Sequence, residues 1–218
     1  MVNQAQGARM SDEIVAYASV LKLSRTDVKT LKIKDAYALH KVVYGLFDDV
    51  RSDVEKQAST ASGIVYADKG GDFNTRQILM LSNRKPHQTP QFGEVQSKPI
   101  HIDFLSHERY TFDITLNPTK RDKQTGKVVA IRGRDEIAAW FTARASQSWG
   151  FAVIAEHLQV GQISVQVFEK AGKTITHGSA TLTGELVVTD RDRFVQSFTN
   201  GIGRGRAFGF GLLQIVPL

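Results

Sequence analysis

Apolar positions along the chain change period several times, and each change marks an element. Residues 13–23 (EIVAYASVLKL) alternate and are rich in Val, Ala and Leu, which predicts a strand. From 34 to 50 the period lengthens. Ala36, Leu39, Val43, Leu46 and Phe47 recur at three- and four-residue steps, the pattern of an amphipathic helix. Short apolar runs at 64–67 and 77–81 flank the turn-rich DKGGDFN and predict a hairpin. Residues 83–99 are polar and hold Pro86, Pro90 and Pro99. They predict a loop, or a linker ending in an edge strand.

The second half repeats the theme. Residues 109–116 (RYTFDITL) alternate as a strand and stop at Asn117-Pro118. Residues 120–134 are basic and contain glycine, as at a hairpin tip. A helix is expected over 135–148, with Asp135 and Glu136 favourable at its positive end. Strands are expected at 163–168 and 173–188, a short helix at 190–199 closed by Asn200 and Gly201, and a last strand at 209–216. This order predicts an α+β fold of two tandem ferredoxin-like (RRM-like) βαββαβ domains with a C-terminal glycine-rich loop. The first half lacks an evident second helix. Composition places the domains at 11–98 and 99–218, with residues 1–10 a loose tail and Met10 a candidate natural start.

Composition narrows the chemistry. Apolar residues make up 41% of the 218, enough for a packed core. There is no cysteine, so disulfides and thiolate metal sites are ruled out, which suits a reducing cytoplasm. The net charge of +6 points to an anionic partner, nucleic acid before anionic lipid. The N-terminus has no apolar core of a secretory signal, and the longest uncharged apolar stretch, 207–218, is shorter than the roughly 20 residues of a membrane span, so no membrane partner is expected.

Three features could carry chemistry. His40 lies within the predicted first helix, with Tyr37 three residues before it and Tyr44 four after, so all three share one face. An imidazole of pKa about 6.5 can take and give a proton near neutrality, though such a cluster also occurs as a plain polar face. His87, His101, His107, His157 and His177 show no metal-ligand spacing, and neither metal nor cofactor is expected. The second feature is GIGRGRAFGFG at 201–211. It lacks the strand–helix context of a dinucleotide fingerprint and the GK[ST] of a Walker loop. What remains is a bend in which Gly203 and Gly205 alternate with Arg204 and Arg206, either a phosphate cradle or a flexible turn. The third is the cationic run Lys120, Arg121, Lys123, Lys127, Arg132 and Arg134, either a solvated hairpin or a surface that tracks a phosphate backbone. Double-stranded RNA is recognised by shape and backbone, which suits this composition.

Together these features resemble the CasE-type CRISPR endoribonucleases. GIGRGRAFGFGLLQIVPL is similar to that family's glycine loop, with Gly201, Gly203, Gly209 and Gly211 at its four glycine positions. GELVVTDRDRFVQSFTNGIG resembles the strand and helix leading into it, FDITLNPTK a mid-chain strand, and YALHKVVYGLF the first-helix segment bearing the family's histidine. The resemblance spans about 13–218 and is dense only over the last fifty residues. It implies a metal-independent endoribonuclease that cuts CRISPR precursor RNA at repeat hairpins. The ribose 2′-OH would attack, leaving a 2′,3′-cyclic phosphate. His40 would be general acid or base, and Tyr37 would orient the 2′-OH or the phosphate. It further implies that the mature guide RNA is retained, in a complex with other CRISPR effector subunits. A non-catalytic RNA-binding subunit of such a complex is the alternative; a ferredoxin-like metabolic enzyme or sensor lies further off.

Overall fold

The computed structural model of the chain describes residues 12–58, 60–72, 74–170 and 172–218. The expected N-terminal tail, residues 1–10, lies outside the described residues. The first sheet is built from β1 (Ile14–Ser24), β2 (Ile64–Gly71), β3 (Thr75–Ser82) and β4 (Glu94–His101), in the order β2-β3-β1-β4. Every neighbouring pair is antiparallel. The second contains β5 (Arg109–Leu116), β8 (Phe151–Val153), β9 (Gln159–Lys170), β10 (Lys173–Val188) and β11 (Gln214–Pro217), in the order β11-β5-β10-β8 with β9 also on β10. Counting β8 and β9 as one broken strand, both sheets have the same 4-1-3-2 order. They form the expected tandem ferredoxin-like α+β fold. A small hairpin, β6 (Thr119–Arg121) with β7 (Val128–Ala130), projects after β5.

The crossover of the first unit carries α1 (Arg25–Thr30), α2 (Ala36–Tyr44) and α3 (Asp53–Gln57). The second unit has α4 (Arg134–Arg144), continued by a π turn at Ala145–Trp149, and α5 (Arg191–Asn200). Helix α1 was not legible from periodicity because it buries no residue. It exists through its ends: Ser24 and Asp27 form a reciprocal capping box. The predicted helix over 34–50 stops at Tyr44, where Gly45 donates to the carbonyls of Lys41 and Val43. Leu46 and Phe47 still enter the core, as a turn. The expected final strand begins only at Gln214. Gly209 and Gly211 have φ of 86° and 85°, outside the extended region, so 209–213 is a loop that buries Phe210, Leu212 and Leu213. The 98/99 boundary drawn from composition falls inside β4, which pairs with β1 as far as His101. Its alternation is mostly polar and exposed, as at a sheet edge, so composition alone could not place it in the first unit.

One strand joins two cores. In β2, Ile64 and Tyr66 face the helices and pack with Leu21, Leu23, Leu39, Val43 and Phe47. Val65 and Ala67 face the other way, among Phe112, Leu116, Phe198, Ile202 and Leu212 of the second unit. Burial on both faces lets the C-terminal glycine loop wrap the start of β2 and meet α2 beyond it. The space there is limited: a Cβ on Gly201 would stand 2.8 Å from Val65 Cγ2. No helix among the described residues is long and apolar enough to cross a membrane.

Candidate active site

Asp35 starts α2 by accepting the amide of Ala38 at 2.8 Å. Leu39 and Val43 anchor the helix in the core, which turns His40 and Tyr44 toward the glycine loop. His40 Nδ1 lies 2.9 Å from the carbonyl oxygen of Ala207. The buried Tyr66 hydroxyl donates to the same oxygen at 3.1 Å. A carbonyl can only accept, so Nδ1 carries the proton and Nε2 is left with its lone pair. The ring is held between Tyr44, 4.1 Å away centroid to centroid, and Phe208, at 5.7 Å. Burial holds the His40 pKa below its ordinary value. The Ala207 hydrogen bond opposes this, and the charges of Lys170, Lys41 and Arg51 add to it.

Around His40 opens a cleft of about 620 Å³, bounded by α2, the 60–64 segment and the 203–208 bend. Its cations are Arg51, Lys56, Lys170, Arg204 and Arg206. They are not equivalent. Arg51 grips Asp49 with two nitrogens, at 3.0 and 3.1 Å, and holds that carboxyl down to about 2. Lys56 lies 3.5 Å from Asp53. Arg206 donates to the carbonyls of Asn200 and Gly201, at 2.9 and 3.4 Å, which locks the bend. Lys170 and Arg204 are exposed, and among the described residues neither forms an ion pair. A carbonyl-anchored imidazole facing uncompensated cations suits acid–base chemistry on a phosphate ester.

A family model described as CRISPR associated protein matches residues 16–217. The chain belongs to this family of CRISPR-associated proteins. The CRISPR-associated endoribonuclease Cse3 of Thermus thermophilus is 32% identical over 130 residues, 55% of this chain and 61% of that protein. The matched stretch therefore spans less than two thirds of that relative's length. A structure of CRISPR endoribonuclease Cse3 bound to a 19-nucleotide RNA has a TM-score of 0.76 at 22% identity, over 93% of this chain and 99% of that one. The crystal structure of the CRISPR-associated protein Cas6e from Escherichia coli K-12 has a TM-score of 0.68 at 20% identity, over 93% and 100% of the two chains. At such identities the likeness is one of fold.

In this CRISPR-associated protein the residues singled out from sequence fall into three groups. His40, Gly203, Arg204, Gly205 and Arg206 come together in the cleft. Tyr37 stacks on His40, with centroids 6.0 Å apart and planes 11° from parallel, but it opens onto the neighbouring groove rather than the cleft. The third group lies on the β6–β7 hairpin and the start of α4. Lys120, Arg121, Lys123, Lys127 and Arg132 are exposed there and do not line the cleft. The hairpin sits beside β10: a Cβ on Gly178 would be 3.9 Å from Ala130 Cβ. The next residue, His177, packs on Phe208 with centroids 5.4 Å apart, so hairpin and cleft share one end of β10. Arg134 is committed elsewhere, donating to the carbonyls of Val160 and Gly161. Sequence reasoning passed over Tyr66 and Lys170 and gave Tyr44 no role. Tyr44 shares the His40 face at i+4, as its spacing predicts, and the fold gives it a role in holding the imidazole ring. Tyr66 and Lys170 sit in strand patterns with no signal of their own.

Proposed function

We propose that this protein is a metal-independent endoribonuclease that cleaves CRISPR precursor RNA at repeat hairpins. The observation that carries this reading is the 2.9 Å contact of His40 Nδ1 with the Ala207 carbonyl, which leaves Nε2 as the free base of a residue lining a cationic cleft. Nε2 takes the proton of the ribose 2′-OH. The 2′-oxygen attacks the adjacent phosphorus, and the bond to the 5′-oxygen breaks. The departing oxygen takes a proton from water, and the imidazolium returns its own to solvent. The products are a 2′,3′-cyclic phosphate and a 5′-hydroxyl. Lys170 and Arg204 stabilise the charge that builds on the phosphorane oxygens. Tyr37 orients the ribose or the phosphate at the cleft's rim. The exposed hairpin cations, beside the same end of β10, bind the backbone of the RNA stem.

After cleavage the protein retains the mature guide RNA and joins other subunits of a CRISPR effector complex. Its place of work is the cytoplasm. The two units divide within residues 102–108, after the last pairing of β4.

The test uses repeat-hairpin RNA in EDTA. Cleavage to a cyclic phosphate is expected, and a 2′-deoxy substitution 5′ of the scissile phosphate abolishes it without loss of binding. RNA that is bound but never cut would instead make the chain a binding subunit. Absence of salt-dependent RNA affinity would remove RNA from the account altogether.

A further inference from the structure

Beside the His40 cleft lies a larger groove, of about 880 Å³, between the other side of α2 and the 87–92 loop. We propose that this groove holds unpaired RNA running on from the cut, on the side away from the hairpin. The inference rests on the ribonuclease reading and adds a second binding site to it.

Continuity with the cleft is the first support. Tyr37 precedes His40 by three residues and Lys41 by four, so on a helix it neighbours both. Its ring stacks on His40, and Lys41 Nζ stands 4.5 Å from the ring centroid on the groove side. Lys170 Nζ, a cation of the cleft, lies 5.6 Å from the Phe208 ring and 5.9 Å from the ring of Tyr37, which lines the groove. A strand whose scissile phosphate sits at His40 passes over Tyr37 directly into the groove.

The lining is the second support. Tyr37 and Phe92 present aromatic rings, and Lys32 and Lys41 present cations. Its one Asp or Glu among the described residues, Asp35, is engaged in capping α2. Rings for base stacking beside a few cations describe a site for single strands, whereas a duplex hides its base faces and offers phosphates. The volume is that of a small-ligand pocket, with room for a nucleotide. The third support is Lys32 itself. It is the one non-glycine residue among the described residues with a positive φ, 51°, a conformation that glycine adopts freely and lysine does not. A cation is kept at the groove's edge where glycine would be the easier residue.

The experiment measures binding of 2′-deoxy, uncleavable hairpin RNA in two lengths. One ends at the cut, and the other continues for several unpaired nucleotides. The unaltered protein is expected to bind the longer RNA more tightly, on the order of tenfold for one stacked base. Phe92→Ala and Lys32→Gly should each remove much of that gain while binding the shorter RNA as before. Lys32→Gly relaxes the backbone, so failure to fold cannot account for its loss. Equal affinity for both lengths, or equal weakening of both by the variants, would overturn the groove proposal while leaving the ribonuclease reading intact. Failure of the unaltered protein to bind either RNA would overturn both.

Discussion

Replacing His40 by Asn separates anchoring from proton transfer. The Asn amide nitrogen falls close to the place of Nδ1 and can still donate to the Ala207 oxygen, now 2.9 Å from the ring. Nothing remains at Nε2. The ring contacts with Tyr44 and Phe208 are lost. Aromatic pairs contribute about 0.5–1.5 kcal/mol each, so the loss of these two should cost about 1–3 kcal/mol of stability, with the anchor retained. The effect on rate is far larger. Loss of a general base slows cleavage by about 10²–10⁴-fold, equivalent to about 3–5 kcal/mol of barrier. The assay is single-turnover cleavage of repeat-hairpin RNA at saturating protein, with affinity measured separately on 2′-deoxy RNA and stability by urea unfolding. The expected pattern is a collapse in rate with affinity changed less than about threefold. A His40→Asn protein that cuts within tenfold of the parent would refute the base assignment. So would an affinity loss as large as the rate loss, which would make His40 a binding residue.

The pH profile of kcat/KM, which reports the free enzyme, should rise through an acidic midpoint below about 6.5 and then level off. The sign follows from the chemistry: the base acts when neutral, and burial with Lys170, Lys41 and Arg51 makes protonation harder. Lys170→Ala should move that midpoint upward, and an unchanged midpoint would remove Lys170 from the neighbourhood of the base. Arg204→Ala should reduce the slope of log affinity against log salt by about 1 without lowering the melting temperature. Arg206→Ala should lower the melting temperature as well, because its guanidinium holds the carbonyls of Asn200 and Gly201. In Gly211→Ala the new Cβ collides with the Ile202 carbonyl oxygen at a φ of 85°. A stability loss of about 1–3 kcal/mol in urea is expected, with cleavage falling as the Ala207 anchor shifts. A Gly211→Ala protein as stable as the parent would show that the bend tolerates a side chain.

Much of this was readable in the sequence because it follows from local physics. Alternation in 13–23 and 109–116 required strands, and the three- and four-residue steps from Ala36 to Val43 required a helix. The same spacing places Tyr37, His40 and Tyr44 on one face. The five glycines of the bend announced a backbone that leaves the ordinary regions, and they adopt φ between 70° and 86°. Net positive charge pointed to an anionic partner. Local chemistry ran out at α1, whose capping box carries no apolar period, and at β4, an edge strand with little to bury.

What tertiary structure alone decided is the meeting of His40 with Ala207, residues separated by 167 positions. No local preference encodes that contact. It exists because β2 is buried on both faces, so the core of the second unit and the helices of the first close on one strand and carry the C-terminal bend to α2. The same closure selects which charges matter. In the sequence Arg51, Arg134, Lys170, Arg204 and Arg206 are equivalent cations. In the fold Asp49 occupies the first, backbone carbonyls hold Arg134 and Arg206, and Lys170 and Arg204 are left facing the imidazole's cleft. Sequence determines which groups a chain carries and the period at which they recur. Which partners compensate them depends on burial and distance, and those are set only when distant segments pack.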